Sequence, residues 1–287
     1  MFDRRLAVRL RRWIWRIVLG GPLMGLAAAF AEDLTPLPDG AVARADGRGI
    51  TQARYIAPTT RYAHAVLGDA IEAGGIWVRD ASGQEHVLML PDDSVFEDIT
   101  PRLADLDGDG GAEVIAIRAY AASGAALTIL DVRNGALAII AETRPIGRSN
   151  RWLNPAGIAD YDGDGRPEIA IIKTPHIGGI LELYELAGPG LRRDARVSGY
   201  SNHEIGARAL DLSASVDVNG DGVTDLIVPN QQRTQLAALS FITGQPVELG
   251  RVALGFAIDG DISLSGMRLT VPLRDGSRAR IEVSEFR

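Results

Sequence analysis

The stretch "DYDGDGRPE", residues 160–168, places four carboxylates in nine residues and separates them with glycines that cannot shield one from another. Two further copies occur, "DLDGDGGAE" at 105–113 and "DVNGDGVTD" at 217–225, so the spacing between copies is 55 and then 57 residues. Counting Asp105, Asp160 and Asp217 as position 1, oxygen-bearing side chains fall at positions 3, 5 and 9 in every copy. They are Asp107, Asp109 and Glu113, then Asp162, Asp164 and Glu168, then Asn219, Asp221 and Asp225. Position 6 is always glycine: Gly110, Gly165 and Gly222.

Hard oxygen donors at 1, 3, 5 and 9, with a carbonyl at 7 and a glycine permitting a tight reversal at 6, are the donor set of a calcium loop. The position-7 carbonyls belong to Gly111, Arg166 and Val223. Magnesium suits the pattern less, because it keeps its waters. An EF-hand is excluded: it needs a bidentate glutamate at position 12 between two helices, whereas Ala116, Ile171 and Val228 stand there inside apolar runs. Asp-Gly pairs also make ordinary hairpin turns, but three copies with one spacing of liganding oxygens favour a cation. The expectation is up to three calcium ions.

Outside these turns the chain reads as apolar runs of five to seven residues bounded by Gly, Asn, Asp or Pro, among them "EVIAIR" (113–118), "ALTILD" (126–131), "EIAIIK" (168–173), "ILELY" (180–184), "DLIVP" (225–229) and "RLTVPL" (268–273). Short strands separated by turns, without a capped 3.6-residue pattern, predict an all-β protein. Around residue 160 the strands are expected near 155–160, 168–174, 180–186 and 191–197. Four antiparallel strands repeated about every 50 residues are the signature of propeller blades. Weaker units at 64–78 and 260–283 bring the expected count to five blades over residues 58–287, with four, six or seven as competing counts. The last unit is one strand short, and the lead-in of residues 32–57 is a candidate to close it near 50–56.

The turns D-x-D-G-D-G-x-x-[DE], each followed by an apolar strand, resemble the FG-GAP/VCBS-type repeats of integrin α-chain propellers and of many bacterial exported proteins. The resemblance spans roughly residues 60–285 and is specific in the three turns; the integrin Phe-Gly/Gly-Ala-Pro signature is poorly kept. It implies a propeller with calcium in the loop between a blade's first and second strands, and it suggests binding without naming a ligand.

The N-terminus has the layout of an export signal. Residues 1–16 are basic, residues 17–31 are apolar, and Ala29-Phe30-Ala31 forms a small-x-small site before Glu32. The apolar run is shorter than the ~20 residues that span a bilayer, so cleavage after Ala31 is expected, with an uncleaved anchor as the alternative. The chain carries a net −7, and its first 31 residues carry six Arg against one Asp, leaving the remainder near −12. Such an acidic balance argues against nucleic acid as a partner. With no cysteine, disulfides, thiolate metal sites and a cysteine nucleophile are excluded. A periplasmic or extracellular setting follows from the signal.

Four histidines, His64, His86, His176 and His203, lie in no metalloprotease spacing, and no G-x-S-x-G elbow or phosphate-binding glycine loop is present. A non-enzymatic binding or assembly module, with a protein or carbohydrate partner in the cell envelope, is therefore the expected function. The alternatives are a propeller hydrolase using loop carboxylates and a purely structural envelope component. In a four-stranded blade, the second-to-third turns and the links between blades share the face opposite the calcium loops. That face is expected to present Asn150, Arg151, Trp152, Asn154, His176, Asn202, His203, Asn230, Gln231 and Arg233, from the loops 147–155, 174–179, 199–206 and 229–234. Loops on a rigid scaffold commonly carry binding groups, although a tryptophan there can equally pack between blades and amides can hydrogen-bond their own turns.

Overall fold

A run such as Glu168–Lys173, apolar at nearly every position, needs cover on both of its faces. The computed structural model, which describes residues 33–287, supplies that cover by stacking one antiparallel sheet on the next. The expected export signal lies outside the described residues. Among them the regular structure is all-β, apart from a short 3-10 turn at Val283–Phe286.

The first nine strands join in one hydrogen-bonded sheet. They are β1 (Ala43–Arg44), β2 (Arg48–Thr59), β3 (Glu72–Asp80), β4 (Glu85–Met89), β5 (Ser94–Phe96), β6 (Arg102–Ala104), β7 (Gly111–Tyr120), β8 (Gly124–Arg133) and β9 (Ala136–Glu142). Within this sheet β6 to β9 form one antiparallel unit. An earlier unit of β2, β3 and β4 is tied to it through β5, which pairs with both β3 and β7. A four-stranded sheet follows, β10 (Leu153–Ala159), β11 (Glu168–Lys173), β12 (Ile180–Ala187) and β13 (Gly190–Ser198). Next comes another, β14 (Ala214–Val216), β15 (Asp225–Pro229), β16 (Gln235–Ser240) and β17 (Val247–Ala253). The last has three strands, β18 (Ser263–Ser265), β19 (Arg268–Pro272) and β20 (Arg278–Glu282).

Successive residues of a strand point to opposite faces, and here the alternation assigns each residue to one core between successive antiparallel units. Val114 and Ala116 of β7 pack with Ile76 and Val78 of β3, while Ile115 and Ile117 pack with Ile169 and Ile171 of β11. On β11, Ala170 and Ile172 turn the other way, onto Leu226 and Val228 of β15. Ile227 then meets Leu269 and Val271 of β19. Each of these side chains is essentially removed from water, at about 1.5–3 kcal/mol for a fully buried aliphatic residue. The same burial explains why the sequence shows continuous apolar runs where a one-sided sheet would alternate.

One expectation about the lead-in is corrected. Residues 48–59 form β2, which pairs along its length with β3 in the first sheet; it makes no pairing with the last sheet. Ile50, Ala53 and Tyr55 are buried against Ile76, Val78 and Phe96. The edge strand β18, by contrast, is exposed throughout and offers no comparable apolar surface. The start of β2 also runs parallel to β7, pairing Arg48 with Gly111.

The acidic turns occupy the first-to-second strand connections: 105–110 between β6 and β7, 160–167 between β10 and β11, and 217–224 between β14 and β15. The second-to-third connections, 121–123, 174–179 and 230–234, lie at the other ends of the same strands.

Candidate functional site

Strand pairing brings the ends of each acidic turn together in the same register. Ala104 lies across from Glu113, Ala159 from Glu168, and Val216 from Asp225, so position 9 faces the residue just before position 1. The residue at position 2, Leu106, Tyr161 or Val218, is buried and anchors the turn to the core.

One hydrogen-bond frame then recurs three times. The position-1 aspartate accepts two backbone N–H groups, from positions 4 and 6. These are Gly108 and Gly110 at 2.8 and 2.9 Å, Gly163 and Gly165 at 2.7 and 2.9 Å, and Gly220 and Gly222 at 2.6 and 2.9 Å. Position 3 accepts the N–H of position 5, and position 5 that of position 7. Position 9 accepts the N–H of position 2 at 2.8 Å in all three turns. The position-6 glycines have φ of 85°, 93° and 89°, a left-handed conformation that side-chain-bearing residues adopt only at a cost.

This frame ties down one oxygen of each carboxylate at positions 3, 5 and 9 and leaves the other directed elsewhere. Glu168 and Asp225 are fully buried, and the second oxygen of each, Oε1 and Oδ1, has no hydrogen-bond partner. A buried carboxylate oxygen without a partner carries a desolvation penalty, and an all-oxygen donor set around it fits a hard cation such as calcium. Asp160, Asp162, Asp164 and Glu168 each bring an oxygen within 4.8 Å of the others, and so do Asp105, Asp107 and Glu113. With protein atoms alone around them, burial pushes Glu113 and Glu168 up to about 7, and their loop aspartates add to the effect. Burial raises Asp225 as well, whereas the Gly222 and Gly220 N–H groups lower Asp217.

The three turns differ in their surroundings. Arg48 donates to the Asp109 carbonyl at 2.5 Å, and Arg133 reaches Asp107 at 3.5 Å. In the third turn Asn219 replaces a carboxylate, and its amide donates to Asp221 Oδ2 at 2.8 Å. Arg287 lies against the same turn, donating from Nε to the Val218 carbonyl at 2.6 Å.

Of the ten residues expected on the opposite face, Trp152, Asn154, Asn202 and His203 are buried. The two asparagines cross-link β10 and the 199–213 link: Asn154 donates to the Leu210 carbonyl and Asn202 to the Pro155 carbonyl, each at 2.8 Å. Gln231 donates to the Pro175 carbonyl at 2.7 Å, and the Asn230 side chain accepts the N–H groups of Thr234 and Gln235. Arg233 reaches Ser201, the His203 carbonyl and Glu204. Most of these amides and guanidinium groups therefore hold loops together.

The remainder converge. Trp152 donates from Nε1 to the Glu97 carbonyl at 2.8 Å, and its ring lies parallel to that of His176 and edge-on to that of His203. His176 Nε2 and His203 Nδ1 lie 2.8 Å apart. Burial, before any charge effect, holds both imidazoles down to about 4, so they are neutral at pH 7. A cavity of about 90 Å³ opens beside them, lined in part by Asn150, Arg151, Trp152 and His176. His64, Ile177 and Ile205 also line it, and sequence reasoning passed over all three. Isolated isoleucines in polar loops were the available signal for two; His64 carried none. Beneath the cavity the buried Glu97 holds His64 Nδ1 at 2.6 Å.

A family model described as an FG-GAP-like repeat matches residues 105–171, which contain the first two acidic turns and the strands between them. That segment of the chain is thus similar to an FG-GAP-type repeat. No curated protein matches it.

Proposed function

We propose that the chain is a five-bladed β-propeller of FG-GAP-type blades, exported from the cytoplasm, in which calcium held by the acidic turns stabilises a scaffold for partner binding. The three turns would hold the ion through Asp105, Asp107, Asp109 and Glu113; Asp160, Asp162, Asp164 and Glu168; and Asp217, Asn219, Asp221 and Asp225. The carbonyls of Gly111, Arg166 and Val223 would complete the sets. Calcium there would neutralise carboxylates that otherwise repel one another at the ends of the strands. The observation that carries this reading is the hydrogen-bond frame repeated in three turns, with buried oxygens of Glu168 and Asp225 left without a partner. The stacking of each sheet on the next supports the blade arrangement.

With its acidic residues committed to loops, the chain acts as a binding or assembly module, not an enzyme, and takes a protein or carbohydrate partner on the face away from the calcium. The test is capture from an envelope extract by the full chain, in calcium and then in chelator. Specific capture in calcium that weakens in chelator is expected. Capture of nothing in either condition, from an extract known to contain the chain's natural surroundings, overturns the binding role.

A further inference from the structure

We propose that the face away from the acidic turns docks an acidic polypeptide segment, which inserts one apolar side chain between Ile177 and Ile205 while its carboxylates meet Arg144, Arg148 and Arg151. This rests on the reading of that face as the binding face and specifies the chemistry of its partner.

The cavity sets the size of the occupant. At about 90 Å³ it admits a single side chain, well short of the ~300–1,000 Å³ of pockets that enclose free small molecules. Its floor is fixed: Trp152 is held by the Glu97 carbonyl and braced by two imidazole rings. Its lip is apolar and open to water, with Ile177 and Ile205 exposed by 62% and 63%. A sugar ring would need an open aromatic face to stack on, and Trp152 is only 2% exposed. An aliphatic or aromatic side chain needs no more than the slot between the two isoleucines.

Charge defines the rest of the partner. The chain is acidic overall, at −7, yet the 143–152 loop beside the cavity carries three arginines. Arg144 and Arg148 are exposed. Neither makes an ion pair among the described residues, and Arg151 spends one N–H on the neighbouring Asn150 carbonyl. Other guanidinium groups are paired with carboxylates: Arg233 and Arg274 share Glu204, and Arg208 reaches Asp39 and Asp69. The imidazoles that border the cavity are neutral. Arg151 thus lines the apolar slot, and Arg144 and Arg148, on the same loop, add positive charge with no ion pair among the described residues, which gives electrostatic complementarity to an acidic segment on a protein that is acidic overall.

Backbone strain gathers in the same place. Among the described residues six non-glycine residues have positive φ, and two of them, Asn150 and Thr174, line the cavity itself. A β-branched residue such as Thr174 at φ 49° is costly and is kept only where surrounding structure holds it, commonly at ligand-binding loops.

The test uses the full chain in calcium and three matched sets of short labelled peptides, read by fluorescence anisotropy. One set has Asp/Glu flanks around a central Leu or Phe, one has the same flanks around Ser, and one has Lys flanks around Leu or Phe. The first set should bind at least about tenfold more tightly than either control, and the difference should shrink as salt screens the arginines. Arg148→Glu and Ile205→Ser should each weaken that binding about tenfold or more at an unchanged melting temperature, since neither side chain is buried. Equal binding of the three sets, preference for lysine flanks, or wild-type affinity in both variants overturns the acidic partner. A glycan array probed in parallel separates the two levels of the argument. Glycan binding abolished by Ile205→Ser keeps this as the binding face and overturns the peptide; binding in neither arm overturns both.

Discussion

Replacing Glu168 by Gln tests the cation reading with little disturbance of the fold. The amide is isosteric with the carboxylate, so its oxygen can still accept the Tyr161 N–H that the carboxylate accepts at 2.8 Å. What disappears is a negative charge at a fully buried position whose second oxygen has no protein partner. In chelator the variant should therefore melt at the wild-type temperature or slightly above it, because an uncompensated buried charge has been removed. In calcium the outcome reverses. A site filled at 100 times its dissociation constant contributes about 2.7 kcal/mol. For a domain of this size 1 kcal/mol moves the melting temperature by about 2–4 °C, so each occupied site is worth roughly 5–10 °C. Wild type should gain the increments of all its occupied turns on going from chelator to calcium, and Glu168→Gln should lack one of them. The assay is a pair of thermal melts followed by circular dichroism, for both proteins in both buffers. Two results refute the reasoning: no difference between calcium and chelator for the wild type, or the same increment in both proteins.

Three further expectations follow from particular contacts. Burial, with Glu97, Asp69 and Asp98 nearby, pushes Glu72 up to about 9 against 4.5 when unfolded. The folded chain then keeps a proton that the unfolded chain releases between those values, so stability falls as pH rises through that window. Glu72→Gln should accordingly stabilise at pH 8 by about 1 kcal/mol or more, do little at pH 4.5, and flatten the melting-temperature profile; parallel profiles would count against it. Gly179 has an ordinary φ, but a Cβ there would be driven into the Tyr200 carbonyl oxygen. Gly179→Ala should thus cost about 2 kcal/mol or more by overpacking, seen as a lower denaturant midpoint, and a neutral result would mean that the 199–213 link yields freely. In the third turn Arg287 brings a positive charge against the ligands while Asn219 removes a negative one. Terbium luminescence should find this turn the weakest of the three and Arg287→Ala should tighten it; an unchanged titration would show that the guanidinium does not compete with the ion.

The acidic turns and the strands beside them were legible in the sequence because their determinants are local. The strand expected at 168–174 is observed at Glu168–Lys173, and those expected at 180–186 and 191–197 are observed at Ile180–Ala187 and Gly190–Ser198. Apolar continuity, a turn residue at each end and oxygen donors two residues apart are all properties of a few consecutive residues, and no distant contact is needed to read them. The family match at 105–171 falls on the same segment.

Partner choice was not legible. Residues 48–59 read as a strand, but only the tertiary structure decided that this strand lies on β3 and not on the last sheet. That choice compares buried areas between segments far apart in the chain, which no local pattern encodes. The same holds for the opposite face. Blade topology and loop composition placed Trp152, Asn154, Asn202 and His203 on that face as candidate binding groups, and the structure buries all four, because segments that cross between sheets must pair their own polar groups before they can serve a ligand. The slot between Ile177 and Ile205, and the Glu97–His64 pair below it, unite residues up to 141 positions apart in the sequence. Local chemistry determined what the turns could hold; the packing of sheets determined which side chains were left free to meet anything else.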